Sequence, residues 1–168
     1  MDSFGQWLHG TAFSQWLQTT TWVIPLLQSI HIVMIGLVFI SSLMIALRVL
    51  GRMRADEPFP AVWSRFAPWM WSGLVVMAAT GALLIIAEPP REFGALSFWI
   101  KMALVLLAVV LTTLLGAQVK HAPHDAASPL RSARPVACVL VVLWLAIIFL
   151  GRAIAYDVEV WGRFSPHA

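Results

Sequence analysis

The sequence predicts an all-α integral membrane protein: an antiparallel four-helix bundle preceded by an amphipathic helix lying in the membrane interface. Three observations lead to this. Sixty per cent of the 168 residues are apolar and only 11% are charged, against roughly 25% charged in a soluble domain. No Asp, Glu, Lys or Arg occurs between Asp2 and Arg48. Four apolar stretches approach the ~20 residues that a helix needs to cross the hydrocarbon core. A chain this short cannot hide so much apolar surface in one soluble core. The composition therefore argues against a soluble enzyme, a nucleic-acid binder and a disordered chain.

The elements follow in order. Residues 3–19 carry Trp7, Leu8, Phe13, Trp16 and Leu17 at mostly helical spacing among polar, uncharged neighbours. That pattern suits one helix in the outer interface, where Trp prefers to sit. The first span covers about 22–47 and stops at Arg48, Arg52 and Arg54. The second covers 66–87 and ends at Glu88-Pro89-Pro90, a helix-breaking sequence. The third covers 102–119 between Lys101 and Lys120. The fourth covers 136–156, its last turn reaching past Arg152, whose side chain snorkels. Trp22 and Trp99 mark the outer interface, and Trp63, Trp69 and Trp71 the inner one. Cys138, the sole cysteine, forms no intramolecular disulfide and reads as a buried small hydrophobe.

Loop charge orients the bundle. Seven of the eleven basic residues (Arg48, Arg52, Arg54, Arg65, Lys120, Arg131, Arg134) lie in the two loops that share one side. The positive-inside bias makes that side cytoplasmic. Both termini are then expected on the periplasmic face of a bacterial inner membrane. The acidic Asp2 and the lack of a basic leader region do not suggest a cleaved signal peptide. His121-Ala-Pro-His124-Asp125 reads as a solvated turn, with transient metal binding as the alternative.

A polar residue inside hydrocarbon asks for a reason. His31 lies nine residues after Trp22, hence roughly 13 Å below the outer interface at ~1.5 Å per residue. Gln28 is three residues earlier on the same face and is placed to orient the imidazole. Three readings of His31 stand: an interhelical hydrogen-bond residue, a haem or metal ligand through a neutral ring nitrogen, and a proton relay. Counting depths puts Met77, Thr80 and Trp144 near its level, and Met77 is the obvious intramembrane partner for a haem with mixed axial ligands. Lys101 and Arg152 flank the outer leaflet, either snorkelling to headgroups or binding propionates, quinone oxygens or an acidic partner. Gly36, Gly73, Ala78, Gly81 and Ala82 permit close helix packing. Nothing resembles a nucleophile with its base, a phosphate loop or paired carboxylates.

The segments Trp22-Val-Ile-Pro25, Gln28-Ser-Ile-His31, Leu47-Arg-Val-Leu-Gly51, Phe98-Trp-Ile-Lys-Met102 and Gly151-Arg-Ala-Ile-Ala-Tyr156 resemble a bacterial family of uncharacterised four-helix membrane proteins. The resemblance covers about residues 20–160 and brings no established activity. More distantly, the layout is similar to the membrane-bound bacterial protoporphyrinogen oxidases, which pair a haem-associated histidine in the first helix with a lysine opening a later one. His31 and Lys101 occupy comparable places. That group's further histidine, towards the far end of the lysine's helix, is replaced here by Thr112, Thr113 and Gly116. The copper-resistance membrane proteins share a histidine near the start of a span. The leading expectation is a non-catalytic subunit or anchor of a larger membrane complex, meeting lipid and either other subunits or further copies of itself. The alternatives are a protein holding haem b at His31 and exchanging electrons with quinone or a periplasmic partner, and a copper-handling protein with His31 as metal ligand.

Overall fold

The computed structural model describes residues 2–120 and 127–164, and every regular element among them is helical. In chain order these are α1 (Asp2–His9), α2 (Ala12–Thr19), α3 (Val23–Val49), α4 (Phe59–Ala87), α5 (Pro89–Gly94), α6 (Leu96–Lys120) and α7 (Ala127–Ala153). A short 3₁₀ turn, Ile154–Tyr156, leads into α8 (Asp157–Trp161). Four helical stretches are long and apolar enough to cross a membrane: Val23–Val49, Phe59–Ala87, Leu96–Gln118 and Ser132–Phe164. The all-α membrane bundle is the fold the composition predicts.

Several boundaries differ from the hydropathy reading, each for a local reason. The expected single helix over 3–19 is two helices, because Thr11 interrupts it and caps the second. Its hydroxyl accepts from the Ser14 amide at 3.3 Å and donates to the Leu8 carbonyl at 2.7 Å. The second span starts at Phe59 rather than at 66, with Pro58 as its N-cap and Pro60 in its first turn, where a missing amide hydrogen costs nothing. Pro89 both follows the end of α4 and opens α5. The third span starts at Leu96, so Lys101 lies within the helix instead of opening it. α3 ends with the Arg52 amide bonded to the Leu47 carbonyl at 3.0 Å and Gly51 at φ +71°, a left-handed C-terminal turn that suits glycine.

α3 packs along α4 and α7, and α6 packs along α7, while α4 and α6 meet only narrowly. The core holds Val38, Ile45, Met70, Leu115, Leu140 and Trp144. Two close approaches depend on glycine. A Cβ on Gly73 would lie 2.9 Å from Val38 Cγ2, and one on Gly116 would lie 2.5 Å from Trp63 Cη2. Trp63 is consequently buried, not an interfacial anchor as its position in the sequence suggests. Cys138 corrects its reading in the opposite direction: it is exposed. In this chain apolar residues also face outward, as Ile32, Val75, Leu106 and Phe149 do at 66–72% exposure, because lipid rather than water surrounds the spans.

One end of the bundle is capped by α1, α2, α5 and α8, and is called the outer end below. Ser14 Oγ donates to the Ile86 carbonyl at 2.6 Å, and Leu17, Val23 and Ala87 bury together there. Asp157 reaches back to α6, accepting from the Leu96 amide at 3.1 Å and the Ser97 amide at 2.9 Å. Trp161 Nε1 donates to Ser97 Oγ at 2.8 Å. At the opposite end Glu57 gathers the basic loop: Arg54 and Arg65 pair with its carboxylate at 2.5 and 3.3 Å, and Arg48 Nε donates to its carbonyl at 2.8 Å.

Candidate functional site

His31 faces into the bundle because it shares a helical stripe of α3 with Leu27, Met34, Val38, Ser41 and Ile45. On the facing helix α4, Thr80 projects to the same level, and His31 Nδ1 lies 2.8 Å from Thr80 Oγ1. Gly81 makes this approach possible, since a Cβ there would stand 3.3 Å from His31 Cε1.

Thr80 Oγ1 also lies 2.9 Å from the Val76 carbonyl and 3.1 Å from the Met77 carbonyl, and the Met77 backbone bonds the His31 ring as well. Either tautomer satisfies the contact with Thr80: Nδ1–H donates to the hydroxyl oxygen, or the hydroxyl donates to Nδ1. A histidine held at one nitrogen by a protein oxygen is the arrangement that orients a ligand or a proton acceptor.

The other sequence-selected residues fall into two groups. Met77 is buried in the core, and it is its carbonyl that faces the threonine hydroxyl. Lys101 is half-buried: its side chain passes Gly151, where a Cβ would lie 3.9 Å from Lys101 Cδ, and its Nζ stands 5.5 Å from the Phe98 ring centroid. Its charge acts on both His31 and Glu92. Burial pushes the Glu92 carboxyl above its usual value, against the pull of Lys101 and Arg91. Gln28 and Arg152 stand apart from this group. Gln28 is exposed, and Thr80 takes the orienting role that spacing suggested for it. Arg152 Nη2 donates to the Tyr156 hydroxyl at 3.2 Å and its guanidinium lies over that ring at 5.2 Å.

Several side chains around His31 are not fully covered. Leu27, His31, Met34, Leu84, Lys101 and Leu104 are only partly buried. Towards the inner end Val38, Met70, Leu115 and Leu140 are buried, and towards the outer end Leu17, Val23, Ala87 and Phe98 are buried. At this depth Met77, Thr80 and Trp144 are buried as well, so the partly buried His31 stands at the edge of a core that continues through its level.

Sequence reasoning named Thr80 at the depth of His31 but did not pair them. The available signal was a hydroxyl at matching depth beside Gly81, which together permit contact. Asp157 was missed because a residue beyond the end of a span gives no local sign of capping a helix 61 positions earlier. The His121–His124 turn lies outside the described residues. Among the described residues no group of three His, Cys, Asp or Glu side chains is placed to hold a metal ion. No family model, no curated protein and no solved structure matches this chain.

Proposed function

We propose that this chain is a small non-catalytic subunit, or membrane anchor, of a larger redox complex in a bacterial inner membrane, with both termini periplasmic. The observation that carries the reading is the incomplete covering of His31 and Lys101 at the edge of the core. It leaves an imidazole anchored on Thr80, and the Lys101 side chain, only partly covered by the chain's own residues. A neighbouring subunit or a second copy of the chain that packs against α4 and α6 would complete it. Purification in mild detergent should then yield a stable assembly larger than one chain. His31→Ala should cost the bundle about 0.6–2 kcal/mol, the range for hydrogen bonds between membrane helices, and leave that assembly intact. A strictly monomeric chain would reject the reading.

The orientation rests on the seven-to-four distribution of basic residues. A reporter fused after Ala168 should read periplasmic and one inserted near Ala127 cytoplasmic; the reverse pattern would overturn it.

The imidazole held by Thr80 also favours a second reading, haem b bound at the same level. His31 fits an axial imidazole, and Lys101 fits a propionate-binding cation. Met77 fits less well, because its side chain packs into the core. Bound haem would supply one-electron transfer; the chain's own part is to hold the imidazole through Thr80 and to exclude water with its apolar neighbours. Protein purified with haem in excess should show Soret and alpha bands on dithionite reduction. His31→Ala should abolish them and Thr80→Val should weaken them. Absence of both bands in the parent protein would reject the haem reading and leave the subunit reading in place.

A further inference from the structure

At the inner end of α4, away from the histidine layer, a groove of about 440 Å³ is lined by Pro60, Trp63, Ser64, Ala67, Pro68 and Trp71. We propose that it binds the head group of an isoprenoid hydroquinone. Its volume is within the roughly 300–1,000 Å³ of small-molecule sites. Two indoles and two prolines give it flat apolar walls suited to a planar ring. It lies on α4, which meets α6 only narrowly, so an isoprenoid tail can run out into the bilayer.

The polar atoms in this wall select the redox form. Ser64 Oγ donates its hydrogen to the Ala61 carbonyl at 3.0 Å, which leaves only lone pairs to offer. Pro68, inside the helix, has no amide hydrogen to give the Ser64 carbonyl four residues earlier. Ser64 therefore presents two acceptors on the stretch of helix where the backbone bond is missing. A hydroquinone has hydroxyl hydrogens to donate to them, and a quinone has none. An indole N–H in the wall can donate to either form and does not discriminate. The inference rests on the redox reading of the chain and adds the ligand class, its preferred oxidation state and a site in the opposite half of the bundle from His31.

The test uses the full chain in nanodiscs of phosphatidylethanolamine and phosphatidylglycerol, with decylubiquinol and decylubiquinone as probes and calorimetric titration as readout. Decylubiquinol should bind saturably at one site and roughly tenfold more tightly than decylubiquinone, the effect of about one hydrogen bond. Pro68→Ala returns a donor to the Ser64 carbonyl without weakening the helix. The lost ring contact weakens both forms alike, and the lost acceptor should reduce decylubiquinol affinity roughly tenfold more than decylubiquinone affinity. Ala67→Phe should fill the groove and remove both. Equal affinity for the two forms, an unchanged quinol affinity in Pro68→Ala, or displacement by added phosphatidylethanolamine would overturn the proposal, the last identifying a phospholipid groove. Quinol binding by a strictly monomeric, haem-free protein would fail the redox-complex reading alone. A stable assembly that binds no quinol would fail this site alone.

Discussion

Gly116→Ala should destabilise the bundle, although the same exchange in an exposed helix would stabilise it by about 1 kcal/mol. The reason is contact with Trp63. An added methyl would lie 2.5 and 2.6 Å from Trp63 Cη2 and Cζ2, well inside van der Waals separation. The indole has little room to yield, being 8% exposed and set against Phe59 with ring centroids 5.9 Å apart. Overpacking of this kind costs about 1–3 kcal/mol, enough to reverse the propensity gain. Thermal unfolding in detergent should show a lower midpoint for Gly116→Ala and partial recovery in the double variant with Trp63→Leu, because residues in contact are not additive. A raised midpoint in the single variant would mean that α4 and α6 do not approach at this point.

Asp157→Ala is expected to loosen the outer end of the bundle. α6 follows Gly94-Ala95, so no local side chain caps it, and Asp157 accepts from both of its first amides. The carboxylate is 4% exposed. Its removal leaves two donors without this partner at a cost of about 2–4 kcal/mol. Asp157→Asn, which keeps one acceptor oxygen, should fall between. Hydrogen exchange at Leu96 and Ser97 should accelerate in Asp157→Ala, with Trp161 losing its contact to Ser97 as α8 detaches. Unchanged protection of these amides would show that α8 is not what closes α6.

The location of the spans was legible because burial in lipid follows composition. A run of apolar residues must find hydrocarbon whatever its neighbours do, and the absence of charge from Asp2 to Arg48 leaves the first span no alternative. The helix ends were less legible. Hydropathy registers where side chains stop being apolar, but a helix continues as long as its backbone bonds are satisfied. Hydropathy begins the second span at 66, yet Pro58 and Pro60 already start α4, since proline disrupts only where an amide hydrogen is needed. The depth of His31 followed from counting residues. Its partner did not follow, because Thr80 is 49 positions away and depth alone does not fix rotation about a helix axis.

The sequence by itself therefore determined a four-span helical membrane protein with one histidine near mid-membrane, since length, hydropathy and the 3.6-residue period are properties of a single chain segment. The tertiary structure alone decided the hydrogen-bond partner of that histidine, the cap on α6 and the burial of Trp63. Each of these depends on which atoms two distant helices bring within about 3 Å of each other, a scale set by hydrogen-bond and van der Waals distances. That contact is a property of the packed pair, so neither helix carries it in its own pattern.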